Sequence, residues 1–285
     1  MTRNEPTHRM RRLGEVLREL RRRAGLSQQE AADRLNYDHR KISRIEKGQK
    51  PDYHGMRAML DTYGVPFSQW EPYMEMYARA LEKGWWTKYD LEDQGYISLE
   101  HDASKVSDFQ VTYIPGLLQT PEYLRAGFAR ARVQRSRKWI DNQVEVRMLR
   151  QERLTANEPL RFHTIMLESA LAQASEAQLR HIDKRARLDN VTVQVLTHAA
   201  GPNDGQMGPF TVLDFPAKAD RSVLYVEHAA GAQHIEDPSK VKVARLTFTH
   251  LSKLALSPDE SADWLGRLAA ERSGTRCHRV AEEQP

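Results

Sequence analysis

The sequence contains a single cysteine, Cys277, so one chain can form neither a disulfide framework nor a cysteine-rich metal site. It has no run of about 18 apolar residues, and residues 1–12 lack the apolar core of a secretory signal. These absences argue against a membrane-spanning helix and against export. We therefore expect a cytoplasmic protein that does not bind a membrane.

Several sequence patterns typical of enzymes are missing as well. The chain has no glycine-rich phosphate loop, no nucleophile elbow and no His-Glu-x-x-His metal site. Scattered histidines and carboxylates remain, and a histidine beside a carboxylate can do acid–base chemistry. Such residues at strand ends are more commonly structural hydrogen-bonding groups, so we expect no catalytic residue, no metal and no cofactor.

Positive charge is concentrated near the N-terminus. Residues 1–50 contain 14 Lys or Arg against 7 Asp or Glu, a net of +7. The other 235 of the 285 residues contain 29 against 32, a net of −3. A concentration of positive charge attracts the phosphate backbone of nucleic acids without regard to sequence. The length favours two domains, each large enough to bury a core.

The spacing of apolar residues in this basic segment predicts short helices. Between residues 13 and 24 they recur every three or four positions, which places them on one helical face. Gly25 then ends the first helix. Ser27 followed by Glu30 has the pattern of a capping box, so a second helix should run from residue 27 to about 35.

A third helix is predicted over residues 38–46. Asp38 can cap its N-terminus, while Ile42 and Ile45 lie three positions apart and can face the core. The other positions give this helix an exposed, basic surface: His39, Arg40, Lys41 and Arg44. Two short helices joined by a tight turn, the second one exposed, form the helix-turn-helix, whose second helix enters the major groove of DNA.

This segment resembles the XRE-type helix-turn-helix family and is similar to the DNA-binding domains of lambdoid phage repressors. The resemblance is carried by Leu13, Leu17, Leu20, Arg21, the run Gly25-Leu26-Ser27-Gln28, Ala31-Ala32, Ile42-Ser43, Ile45-Glu46, Gly48 and Pro51. It implies an all-α, five-helix lambda-repressor-like domain over residues 13–83, with further helices near 53–63 and 68–81.

By motif position, the resemblance also implies which side chains bind double-stranded DNA. Gln28 would meet a phosphate or an outer base, and Lys41 a phosphate or a neighbouring base. Base edges would be read by His39, Arg40 and Arg44. Arginine can bind O6 and N7 of guanine together, so we expect guanine in the half-sites. Proteins of this type usually bind two half-sites, so we also expect a homodimer.

Beyond residue 108 the pattern changes to mixed helices and strands. Arg161–Leu167 and Val191–Leu196 are predicted strands, and a helix predicted between them at 176–188 completes a parallel βαβ unit. The other predicted elements are helices at 120–128, 137–154 and 238–256 and a hairpin at 210–215 and 222–227.

The predicted fold class is therefore multidomain, with an all-α helix-turn-helix domain followed by a mixed α/β domain. The predicted divisions are a basic arm at 1–12, the helix-turn-helix domain at 13–83, a connector at 84–108, an α/β regulatory or partner-binding domain at 109–272 and a polar tail at 273–285.

The α/β half also resembles a known family, the domain of unknown function that follows XRE-type modules in actinobacterial regulators and is described as antitoxin-like. The resemblance is carried by residues 113–123 with their Pro-Gly-Leu-Leu-Gln-Thr run, Glu168-x-Ala170-Leu171, Val191–Leu196 and Val226-Glu227. It implies that a small partner protein, encoded by a neighbouring gene, modulates DNA binding. Glu168 and Glu227, at predicted strand ends, are the candidate ligand-binding or partner-binding residues.

Three classes of function compete at this point. The leading hypothesis is a sequence-specific transcriptional regulator that uses the helix at 38–46 and is modulated by a partner protein or a ligand through its α/β domain. The second is an antitoxin-like protein whose main task is to sequester a partner. The third is an enzyme with an appended DNA-binding module. The basic third helix favours the first class and does not exclude the second.

Overall fold

The computed structural model describes residues 6–89, 91, 94–216 and 221–282. Residues 1–5 of the predicted arm and 283–285 of the predicted tail lie outside the described part. The chain forms two compact units, one of residues 1–87 with 93–98 and the other of residues 88–92 with 99–285. The first is helical and the second contains a sheet, which confirms the predicted fold class.

The helical unit is built from short helices with polar caps. Its elements are α1 (His8–Arg23), α2 (Gln28–Leu35), α3 (His39–Glu46), α4 (Tyr53–Thr62) and α5 (Glu71–Leu81). The predicted capping box is present, because Ser27 accepts a hydrogen bond from Glu30 N and Glu30 accepts one from Ser27 N. The core beneath these helices is apolar and includes Leu13, Leu17, Ala31, Ala32, Ile42, Ile45, Met56 and Met59.

The first helix begins earlier than the sequence indicated. The predicted arm covers residues 1–12, yet α1 begins at His8, where the Thr7 hydroxyl accepts a hydrogen bond from Met10 N. Arg9 Nη1 lies 2.9 Å from Glu82 Oε2, which ties this turn to the end of α5. The apolar periodicity starts only at Leu13, so the cap and this ion pair decide where the helix starts.

The second unit is a mixed sheet with helices. Over the described residues the strands are β1 (Lys105–Gln110), β2 (Arg161–Leu167), β3 (Val191–Leu196), β4 (Phe210–Asp214), β5 (Val223–His228) and β6 (Gly231–Ile235), in the order β3-β2-β1-β4-β5-β6. The first helix of this part of the chain, α6 (Gln94–Asp102), begins within the first unit and ends in the second. The other helices are α7 (Pro121–Ala129), α8 (Arg137–Gln151), α9 (Glu168–Leu171), α10 (Glu176–Ala186), α11 (Pro238–Leu254) and α12 (Pro258–Glu282).

The sheet confirms two predicted strand pairings and contains two strands that were not predicted. β2 pairs parallel with β3, and β4 pairs antiparallel with β5, as predicted. β1 was not predicted, yet it lies at the centre of the sheet between β2 and β4. Because α6 and the start of β1 fall within the predicted connector at 84–108, the α/β fold begins before residue 109. β6 and α12 were also not predicted, and α12 extends into the predicted polar tail at 273–285 as far as Glu282.

One face of the sheet is covered by α11. Phe109 of β1 and Ile165 of β2 form a buried cluster with Phe248 and Leu251 of this helix. At the β3 edge, Val195 N donates to Ser261 Oγ and Val195 O accepts from Leu256 N, so the start of α12 closes that edge. Among the described residues, no helix is long and apolar enough to cross a membrane.

Candidate nucleic-acid interface

The turn between α2 and α3 is tight and fixed by its backbone. Asn36 has φ 52° and ψ 44°, a left-handed conformation that Asn adopts more readily than most residues. The amide of Tyr37 then donates to Ala32 O at 2.8 Å. Asp38 Oδ1 accepts from Arg40 N at 2.7 Å and starts α3. The chain therefore passes from α2 to α3 in three residues, the geometry of a helix-turn-helix.

The inner face of α3 is packed tightly against α1. Ile42 and Ile45 are 0% and 1% exposed. Gly14 of α1 lies so close to α3 that a Cβ atom there would come within 2.5 Å of Ile45 O. A larger residue at this position would push the two helices apart. The glycine therefore lets α3 seat its apolar side fully and leave its other side at the surface.

A buried ion pair joins α1 to the end of α3. Arg21 donates from Nε to Glu46 Oε1 at 2.5 Å and from Nη2 to Glu46 Oε2 at 3.0 Å, and its Nη1 donates to Leu26 O at 2.6 Å. The hydrogen bond to Glu46 raises the pKa of Arg21. Burial likewise raises the pKa of Tyr63, close to this pair. The pair therefore holds α1, the turn before α2 and the end of α3 together.

Gln28, predicted to contact DNA, belongs to the same network. Its side chain is half-buried, and Nε2 donates to Glu46 Oε2 at 2.7 Å. The amide of a glutamine carries two N–H groups, so one remains after this bond. The structure thus fixes the direction of the Gln28 side chain at the start of α2.

Three of the predicted residues project from α3 into solvent. His39, Arg40 and Arg44 are exposed. Within the described part of the chain, their side chains form no hydrogen bond or ion pair. Two more exposed lysines that the sequence analysis did not single out, Lys47 and Lys50, follow the helix. Their charge was visible in the sequence, but their position next to α3 depends on the turn at Gly48, where φ is 99°.

Lys41 differs from its neighbours because its ammonium group has partners. Nζ lies 3.4 Å from the centre of the Tyr37 ring and 4.0 Å from Asp52 Oδ2. Asp52 also caps α4 by accepting from Gly55 N at 2.7 Å, and this hydrogen bond lowers the pKa of Asp52. Lys41 is therefore held between the turn and the start of α4. No spacing in the sequence indicated these contacts.

The two candidate glutamates of the α/β unit do not lie together. Glu168 Oε2 accepts from His198 N at 2.9 Å and lies 3.2 Å from His198 Nδ1. Glu227 is exposed near the end of β5. The strands β1 and β4 separate β2 from β5, which at about 4.8 Å per strand puts the two glutamates at least about 14 Å apart. Glu168 has a local structural partner, and the pair does not form one site.

No metal site is evident in the residues that the structure describes, because no group of three His, Cys, Asp or Glu side chains could hold an ion.

The Pro-Gly-Leu-Leu-Gln-Thr run is held in place by the side-chain amides of buried glutamines. Gln178 accepts from Thr120 N at 2.7 Å and donates to Leu118 O at 2.6 Å. Gln151 donates to Gln119 O at 2.7 Å. This run therefore has a structural role.

Comparison with known families agrees with this division of the chain. A family model described as a helix-turn-helix domain matches residues 12–69, which include α2, the turn and α3. A second family model, described as a domain of unknown function, DUF5753, matches residues 94–267, which include the whole sheet. No curated protein and no solved structure matches the chain.

Proposed function

Because this chain belongs to the family defined by the domain of unknown function DUF5753 and carries a helix-turn-helix domain before it, we propose that it is a sequence-specific transcriptional regulator. In this proposal the N-terminal unit is of the XRE type and binds double-stranded DNA with α3 in the major groove. The protein acts in the cytoplasm and catalyses no reaction. It needs no cofactor or metal.

The proposal rests mainly on the two faces of α3, one buried and apolar, the other exposed and basic. Its apolar side is buried against α1, while His39, Arg40 and Arg44 are exposed and lack a protein partner among the described residues. A helix about 10–12 Å across fits a major groove about 12 Å wide. The exposed side chains can then reach base edges without first breaking a contact within the protein.

The remaining predicted contacts have supporting roles in this proposal. Lys41 sits between Tyr37 and Asp52, so it offers its charge to a phosphate or a neighbouring base from a fixed position. The free N–H of the Gln28 amide can donate to a phosphate or an outer base. Contacts to phosphate set the position of a protein on DNA, and contacts to bases give it specificity.

Two further parts of the proposal concern partners. One recognition helix reads few base pairs, so we expect a homodimer that binds two half-sites. The DUF5753 domain is proposed to regulate DNA binding through a small protein encoded by a neighbouring gene or through a ligand. The regular sheet and the separate compact unit support a role for this domain apart from DNA recognition.

The test compares three forms of the full chain on one selected DNA duplex. Arg40→Ala combined with Arg44→Ala should weaken binding by about 1 to 3 kcal/mol for each arginine that contacts a base. Arg267→Ala, which removes an exposed arginine from α12, is the control and should bind normally. Circular dichroism checks that each variant is folded. Normal binding by the folded double variant would refute the proposed role of α3.

A further inference from the structure

The outer face of α11 carries an apolar stripe that the fold does not use. On the inner face of this helix, Val241, Ala244, Phe248 and Leu251 are buried against the sheet. On the opposite face, Val243 is 63% exposed and Leu246 is 61% exposed. Leu254, 39% exposed, lies on the same face two turns further along, and the exposed His250 lies between it and Leu246. Adjacent exposed apolar residues on one face are typical of a binding surface.

The lysines and the arginine of α11 give this helix charge of one sign only. The sequence of α11 contains no Asp or Glu, whereas Lys240, Lys242 and Lys253 are exposed beside the apolar residues. Arg245, also in α11, differs from the lysines because its charge is paired: its Nη1 donates to Asp214 Oδ2 at 2.9 Å. The basic rim stands out because the chain after residue 50 has a net charge of −3. The α11 surface, defined by Val243, Leu246, Leu254 and the three lysines, is thus apolar in the middle and positive at its edges.

We propose that the α11 surface docks an acidic amphipathic helix of another protein. The apolar stripe would receive side chains spaced three or four positions apart on the partner helix, as in other helix-in-groove contacts. The lysines would face carboxylates at the rim, where opposite charges guide association and select the partner. The inference rests on the regulatory role proposed above and identifies the surface and chemistry through which a protein acts on the DUF5753 domain.

Charge favours this occupant over two others. A second copy of the chain would bring its own α11 lysines against these lysines, which is repulsive. Nucleic acid could pair its phosphates with the lysines, but it would place its charged backbone against Val243 and Leu246. Burying charge against apolar side chains is unfavourable. An acidic helix with an apolar face satisfies both parts of the surface.

The experiment uses the full chain, without DNA, and a designed helical peptide with leucines every three or four positions and glutamates between them. Fluorescence anisotropy should show binding that weakens as salt is added. Val243→Ser with Leu246→Ser should reduce the affinity at least about tenfold, the scale of a central interface residue. Lys242→Glu with Lys253→Glu should also reduce it. Val133→Ser, at an apolar residue 46% exposed between α7 and α8, is the matched control and should change nothing.

Several results would overturn the inference. The inference fails if the acidic peptide does not bind, or if a peptide with lysines in place of the glutamates binds equally well. It also fails if the Val243 and Leu246 changes do not affect the affinity. If sedimentation shows that Leu246→Ser dissociates a dimer, the α11 surface binds a second copy of this chain. Displacement of the peptide by random duplex DNA would make it nucleic acid. Because DNA binding is measured separately on the same preparations, failure here leaves the proposed function standing.

Discussion

At the scale of single residues, the helical unit depends on one buried ion pair. The side chains of Arg21 and Glu46 are 7% and 3% exposed, and two hydrogen bonds join them. Removing one member of a buried pair leaves the other charge without compensation in a poorly solvated place, which costs more than the pair itself contributes. This pair also orients Gln28, so a change here reaches the proposed DNA-binding surface.

Glu46→Ala should therefore lower the free energy of unfolding of the helical unit by about 3 to 5 kcal/mol. The matched control is Glu19→Ala, which breaks the exposed pair of Glu19 with Arg23 and should cost less than about 0.5 kcal/mol. Urea unfolding of the full chain, followed by circular dichroism, measures both. Equal effects of the two changes would mean that the buried pair does not hold α1 to α3.

A second residue with an unusual environment is Asp108 of β1. It is buried, and its Oδ1 accepts hydrogen bonds from Thr211 Oγ1 at 2.6 Å and from Gln110 Nε2 at 2.9 Å. Burial outweighs these bonds and raises the pKa of Asp108 from 3.8 to about 6. Because the unfolded chain ionises at lower pH than the folded protein, the contribution of this group to stability falls as pH rises from 3.8 to about 6.

Asp108→Asn keeps an oxygen that can accept both hydrogen bonds and removes the titration. Relative to the natural protein, its free energy of unfolding should rise with pH across this window, by at most about 3 kcal/mol for a shift of about two pKa units. Above the window the difference should be constant. Urea unfolding at a series of pH values measures it. A difference that does not change with pH would contradict the raised pKa.

At the scale of elements, the sequence predicted the features that depend on residues close together in the chain. The capping box of α2 and the Asp38 cap of α3 were correctly identified, because a cap is made by residues three positions apart or fewer. The parallel strands β2 and β3 are rich in β-branched and other apolar residues, which the sequence also shows. Elements with such signals were placed to within a few residues.

Elements stabilised by distant partners were not predicted. β1 contains Lys105, Ser107 and Asp108, which is unusual for a central strand, and its buried carboxylate is tolerated because Thr211 on β4 donates to it. β6 is only weakly strand-like in sequence and is held by its pairing with β5. At the candidate site, the contact of Lys41 with Asp52 likewise depends on how α3 meets α4.

The segment 116–120 illustrates how buried side chains replace regular backbone pairing. Gln178 of α10 satisfies both Thr120 N and Leu118 O, which otherwise would be buried without partners. This explains why a run without strand or helix periodicity adopts a fixed path. Thr120 then caps α7 by accepting from Tyr123 N at 3.2 Å.

Gln178→Ala should destabilise the α/β unit by about 2 to 4 kcal/mol, because two buried backbone groups lose their partners. Gln206→Ala, at an exposed glutamine on the surface, is the control and should have almost no effect. Thermal unfolding of the full chain measures the stability, and hydrogen exchange of the Thr120 amide reports on the bond itself. A Thr120 amide that exchanges at the natural rate in Gln178→Ala would show that this bond does not hold the segment.

At the scale of the whole molecule, the excess of positive charge lies within one of the two compact units. The excess of positive charge lies within residues 1–50, which contain the helix-turn-helix, and the remainder has a net charge of −3. Attraction to DNA phosphate should therefore reside in the helical unit and decline with salt, whereas base recognition by α3 should persist longer. The sequence predicted this division, but the strand order that separates Glu168 from Glu227 required the structure.

The most direct test of the central claim is selection of bound sequences from a random DNA pool by the purified full chain at two salt concentrations. Recognition by paired α3 helices predicts an inverted repeat with guanine in each half-site, the half-sites separated by about 10 base pairs or a multiple of this, and still enriched at the higher salt. Weak binding that salt abolishes, with no enriched motif, would contradict the claim and favour a protein whose main task is to sequester a partner.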